Sequence, residues 1–131
     1  MVLLFLLAVC IRKIKKNFPY PVILSDTVGL IDKLPHDLVA SFKSTLDEVR
    51  DADLLLRMVD ISDPNSKRQI ETTNNVITEL GVEDTDSILV FNKVDKVSAL
   101  ETLETKIQSN PGAICVSSKK GTGLDKLRDA I

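Results

Sequence analysis

Four short apolar runs, each closed by a polar turn and followed by a stretch with helical spacing, constrain this chain more than any other feature. They are Val22–Leu24, Leu54–Val59, Ile88–Phe91 and Ala113–Val116. Short, mainly apolar runs of this length, interrupted only by Arg57 in the second, read as buried strands. Between and after them, residues recur every three or four positions on one helical side, apolar except for Thr73. The sets are Leu38, Val39, Phe42, Leu46 and Val49, then Ile70, Thr73, Ile77 and Leu80, then Leu100, Leu103 and Ile107, then Leu124, Leu127 and Ile131. Regular strand–helix alternation demands crossover connections, so the runs predict one mostly parallel sheet with helices on both faces. The expected fold is α/β and doubly wound.

Local punctuation agrees. Pro35 suits a first helical turn, Gly81 suits a left-handed helix end, and Asn110-Pro111-Gly112 breaks a helix. Ser98 with Glu101 reads as a capping box, and Thr122 with Asp125 as the start of the last helix.

The 131 residues, 44% hydrophobic and 27% charged, fit one soluble globular domain. A net charge of −2 and the lack of tryptophan offer neither a basic field nor stacking platforms, so DNA is not an expected partner. Cys10 and Cys115 match no metal or redox spacing, and Cys115 reads as a small buried hydrophobe. A reducing cytoplasm is the expected location.

The opening run Met1–Ile11 differs from the rest. As a helix it would reach roughly 16 Å, about half a bilayer core. No basic residue precedes it and no small-residue cleavage pattern follows, so neither a membrane anchor nor a signal peptide is expected. Residues 1–10 are read as an atypical apolar segment lying against the sheet, and residues 11–131 as the domain proper. Arg12, Lys13, Lys15 and Lys16 read as a solvated edge strand blunted with lysines, with RNA phosphate contact as the alternative. His36, the only histidine, is read as an exposed loop residue. Glu79, Glu83, Asp84 and Asp86 are read as a solvated helix end and loop.

Three strand ends carry residues that suit one ligand, at the edge where open α/β sheets bind. Asp26-Thr27-Val28-Gly29 offers a carboxylate and a glycine amide that can approach a phosphate closely. Asn92-Lys93-Val94-Asp95 offers an acceptor for the ring N–H and the exocyclic amino group of guanine, which adenine cannot match. The stem of Lys93 can cover one face of the base. Ser117-Ser118-Lys119 offers a backbone N–H for the guanine carbonyl and a second lysine for the other face. Each motif alone is a common turn; together, in this order, they point to a guanine nucleotide.

With these residues in place, the chain resembles the HflX family of translation-factor-class GTPases. The likeness rests on the three motifs and on Asp26-Thr27-Val28-Gly29-Leu30-Ile31 leading into Leu34-Pro35-His36-Asp37-Leu38-Val39 and Ser41-Phe42-Lys43-Ser44-Thr45-Leu46. Leu54–Asp60 and the Asp63-Pro64 that follows add to it. The resemblance implies a G domain of the P-loop GTPase type, with its third, fourth and fifth nucleotide boxes at the motifs above. It implies GTP or GDP as ligand, Mg2+ near Asp26, the Gly29 amide near the γ-phosphate, and the large ribosomal subunit as a partner.

The chain also departs from that pattern. Its first glycine is Gly29, so no Walker loop of the form G-x-x-x-x-G-K-S/T can be assigned. In the family, the first strand sits beyond the third from the second, and the opening run does not easily replace it. Leu30 occupies the position where many GTPases carry a water-orienting glutamine. The expectation is a G domain missing its first strand, P-loop and first helix, able to read guanine but not to hydrolyse GTP. Two alternatives are a degenerate interaction module retaining the fold and, further off, a membrane-tethered protein.

Overall fold

The computed structural model describes residues 10–14, 18–26, 49–98 and 100–131. Its strands are β1 (Cys10–Ile14), β2 (Val22–Asp26), β3 (Leu54–Asp60), β4 (Asp86–Asn92) and β5 (Ile114–Cys115). Its helices are α1 (Ser66–Leu80), α2 (Leu100–Gln108) and α3 (Leu124–Ala130). The helix expected over Leu38–Val49, the histidine His36, and residues 1–9 of the apolar opening lie outside the described residues, apart from Val49, which is helical.

From β3 onward, strands and helices alternate, and β3–β4–β5 is a parallel sheet. Its core is Val59, Ile61, Leu89 and Phe91, each at most 8% exposed. Alternation along β4 sends Leu89 and Phe91 to one face, where Ile70 of α1 and Leu103 and Ile107 of α2 pack. Val90 points to the other face and is also fully buried. Burial on both sides is the reason this strand reads as a continuous apolar run.

The remaining pair, β1 and β2, is antiparallel and separate, with Cys10 opposite Asp26 and Ile14 opposite Val22. The expected single sheet is therefore two among the described residues, broken between β2 and β3. That is where the resemblance to the GTPase family sets the family's first strand. Of the basic cluster expected on an edge strand, Arg12 and Lys13 lie in β1, while Lys15 and Lys16 lie outside the described residues; β1 begins at Cys10, one residue inside the segment expected to be separate. The hairpin is poorly covered: Ile23 is 69% and Leu24 41% exposed.

Two expectations are corrected. The last strand is Ile114–Cys115 rather than Ala113–Val116. The Val116 amide still donates to Phe91 O at 2.8 Å, but the Val116 carbonyl turns away to accept the Val94 amide at 3.3 Å, so the ladder ends by fastening a loop. The last helix is capped by Gly123, not Thr122. Thr122 instead bridges to Ser117, whose amide donates to Thr122 O at 2.9 Å. Gly123 has φ 74°, and a Cβ there would sit 2.2 Å from the Cys115 carbonyl oxygen, so a side chain would force α3 off β5.

The helix end at Gly81 is as expected: φ is 67°, and the Gly81 and Val82 amides donate to Thr78 O and Ile77 O. Glu79, Glu83, Asp84 and Asp86 are all exposed. Cys115 is a free thiol packed against the core, and burial raises its pKa, opposed by Lys126. No helix among the described residues is long and apolar enough to cross a membrane.

Candidate functional site

Parallel strands present their carboxyl ends together, and the pairing of Asp60 with Asn92 sets the ends of β3 and β4 level. After Asn92 the chain turns through Lys93, whose φ of 63° is the one positive value at a non-glycine among the described residues. A lysine in the left-handed region costs about 1 kcal/mol or more and persists only where its surroundings impose it. Here the Asn92 side chain imposes it, with Oδ1 accepting the Lys93 amide at 2.8 Å. A single 3-10 turn, Val94–Lys96, follows, closed by the Lys96 amide donating to Lys93 O at 2.9 Å. Val94 and Val97 pack against the core, so the loop is rooted in it.

The loop after β5 is stitched to this one. Asn92 Oδ1 accepts from the Ser118 amide at 3.1 Å and from Ser118 Oγ at 3.2 Å, and Asn92 Nδ2 also faces Ser118 Oγ at 3.2 Å. Ser117 is buried, and its hydroxyl donates to Asp95 Oδ1 at 2.5 Å while accepting the Lys120 amide at 3.2 Å. That hydroxyl bond is the main reason the Asp95 carboxyl titrates below its usual range; partial burial opposes it, and Lys120 and Lys119 assist. Asp95 is thus an ionised acceptor at neutral pH, and a carboxylate can accept several hydrogens at once. Lys119 is exposed beside it.

A third loop joins from β3. Lys93 Nζ donates to Asp60 Oδ2 at 2.5 Å. Asp60 Oδ1 accepts both the amide of Ser62 at 3.0 Å and its hydroxyl at 2.5 Å. Burial pushes the Asp60 carboxyl up, but the bonds from Lys93 and Ser62 and the Lys93 charge outweigh it, and the net shift is downward. Beyond it, Asp63 starts α1 by accepting the Asn65 amide and Gln69 Nε2, both at 2.8 Å. Lys106 Nζ of α2 donates to Ile61 O at 2.8 Å.

Of the residues picked out from sequence, the structure brings together Asn92, Lys93, Val94, Asp95, Ser117 and Ser118, with Lys119 adjacent. Asp26 is exposed at the end of β2, in the other sheet, and among the described residues no bond joins it to this cluster. Thr27, Val28 and Gly29 lie outside the described residues. Sequence reasoning missed Asp60 and Ser62, and gave Ser117 no role for its hydroxyl. A signal was there: Asp60 ends a strand beside the one that ends at Asn92. A cavity of about 230 Å³ lined by Leu55, Arg57, Asn74, Thr85 and Ser87 lies at the amino ends of β3 and β4, away from these loops.

Comparison with known proteins gives this arrangement its class. The chain belongs to the family of 50S ribosome-binding GTPases, whose model matches residues 8–93. The likeness is more specific than that. The chain is 45% identical over 106 residues to the GTPase HflX of Magnetococcus marinus, covering 81% of this chain and 24% of that protein. To the GTPase HflX of Escherichia coli it is 38% identical over 110 residues, covering 83% of this chain and 26% of that protein. The HflX-type G domain read from the sequence therefore stands, and the chain spans about a quarter of the length of these curated relatives. Among solved structures, the SsGBP–GDP complex matches 91% of this chain and 40% of its own, at 27% identity and a TM-score of 0.73. The α/β fold of P-loop GTPases follows.

Proposed function

We propose that this chain binds guanine nucleotide, GTP or GDP, chiefly through the base. The observation that carries this reading is the cross-bonding of the Asn92–Asp95 and Ser117–Ser118 loops around an ionised Asp95. Asp95 accepts from the ring N–H and amino group, the loop after β5 donates to the carbonyl, and the stems of Lys93 and Lys119 flank the ring. A relative solved with GDP supports the ligand class. A guanine site offered adenine leaves the Asp95 carboxylate unmatched, which discriminates strongly.

The phosphate side is assigned to Asp26, Thr27, Val28 and Gly29. Mg2+ is usually held by one or two carboxylates together with phosphate oxygens and water, and an exposed Asp26 fits that donor set. Bound there, the ion would neutralise phosphate charge. Association with the large ribosomal subunit rests on the family's description, and a cytoplasmic location on the two cysteines, which match no metal or redox spacing. The domain is taken as residues 11–131, with 1–10 as an atypical apolar segment whose last residue, Cys10, already pairs within β1. An interaction module without nucleotide is not favoured, because the family model and the curated relatives this chain matches are GTPases.

Asp95→Asn tests the reading. An amide presents a donor where guanine needs an acceptor, so the variant should lose its preference for GDP over ADP while keeping the parent's melting temperature. An Asp95→Asn protein that binds GDP as well as the parent would remove the basis for the assignment.

A further inference from the structure

The motif Asp60-Ile61-Ser62-Asp63-Pro64 stands out in the sequence, yet base recognition as described makes no use of it. We infer that Asp60 is a positioning residue for base recognition, clamping the far end of Lys93 so that its stem lies ready as a platform for guanine. The inference rests on the guanine reading above and adds a residue to it.

Lysine is a poor platform unless both of its ends are held, because its four-carbon stem is flexible and its ammonium otherwise follows water. In this chain both ends are held. The backbone end is fixed in the left-handed region by Asn92 Oδ1 at 2.8 Å and by the Lys96 amide on Lys93 O. The ammonium end is fixed by Asp60 Oδ2, 33 positions earlier in the chain. Asp60 is itself immobilised. Ser62 bonds its other oxygen twice, the Ile61 amide donates to Asn92 O at 3.1 Å, and the Lys106 ammonium pins the Ile61 carbonyl. The carboxylate is therefore a fixed anchor, and its attachment to Lys93 spans two adjacent parallel strands.

A bond that served stability alone would look similar, so the test must separate the two roles. The full chain is titrated with GDP by NMR for the parent, Asp60→Asn, Lys93→Ala and the double variant, alongside thermal melts. The expected result is a loss of about tenfold in GDP affinity for Asp60→Asn, equivalent to one anchoring interaction. Asp60→Asn should cost nothing further in the Lys93→Ala background, since a residue acting only through another shows no independent effect. Asp60→Glu, which keeps the carboxylate, should recover part of the affinity. Equal GDP affinity in parent and Asp60→Asn, or additive losses in the double variant, would overturn the assignment.

A second readout needs no nucleotide. The two Cε protons of Lys93 should be inequivalent in the free parent and averaged in Asp60→Asn. Averaged protons in the parent would overturn the clamp directly. If the parent bound no GDP while those protons stayed inequivalent, the guanine reading and the positioning role would both fall, leaving the pair as a structural bond.

Discussion

The parallel sheet β3–β4–β5 and the hairpin β1–β2 come from one chain but are built to different standards. The parallel sheet rests on a core of Val59, Ile61, Leu89 and Phe91, and its strand-end loops are bonded to one another through Asn92, Asp95, Lys93 and Asp60. Among the described residues the hairpin strands pair only with each other, Ile23 is 69% exposed, and β2 ends in an exposed Asp26. One described link to the body is the Tyr20 hydroxyl donating to Ile131 O at 3.2 Å. The contrast teaches that the half proposed to read the base is preorganised by its own core, whereas the carboxylate proposed for the phosphate side sits on an element with fewer bonds among the described residues. Preorganised donors and acceptors lose little entropy on binding, so affinity should concentrate on the base side.

The comparison can be broken first at the core. Phe91→Ala should destabilise the chain by about 3–5 kcal/mol, because a 1%-exposed side chain leaves a cavity that its neighbours refill only in part. Chemical denaturation measures this, and a loss under about 1 kcal/mol would mean the parallel sheet is not the stable half. Gly123→Ala comes next, at about 2–4 kcal/mol, combining a positive φ with collision against the Cys115 carbonyl. Gly81→Ala is the control, since its φ is 67° but nothing lies within 4 Å of the new methyl group. It should cost about 1 kcal/mol.

A smaller effect sharpens the electrostatic side. Asp60 has a lowered pKa, so the stability its ionised form confers is complete above the ordinary aspartate value of about 3.9 and is lost as pH falls through the depressed one. In Lys93→Met the burial remains and the donor is gone, so Asp60 should titrate higher and acid unfolding should begin at higher pH. Carboxyl carbon NMR reads the change, and an unmoved titration would deny the pairing. The smallest effect is expected at the hairpin. Tyr20→Phe should cost about 1 kcal/mol or less, since the tyrosine is 54% exposed. A larger loss in the same denaturation experiment would show the hairpin to be better supported than its exposure suggests.

Much of the parallel half was legible because local and tertiary signals agree there. Ile88–Phe91 is apolar without a break because both faces of β4 are covered, and Gly81 ends α1 for a purely backbone reason. The misses have a shared physical origin. Thr122 looked like a helix cap by residue type, but the close approach of α3 to Cys115 requires glycine at the next position, which spacing cannot reveal. Val116 looked like strand, but its carbonyl is diverted to Val94, a contact 22 residues away in sequence. Asp60 is visible in the sequence, but its bond is not, because the partner lies 33 positions on. Motif reading picks out the residues proposed to face a ligand; the residues that hold them are visible only in three dimensions.

The central claim is that the loops after β4 and β5 form a guanine-reading site in this chain. A parallel NMR titration of the full chain with GDP and with ADP tests it most directly. GDP should shift the amides of Asn92–Asp95 and Ser117–Lys119 in a saturable way, and ADP at the same concentrations should leave them in place. Equal shifts from both nucleotides, or no shift at those amides with GDP, would contradict it.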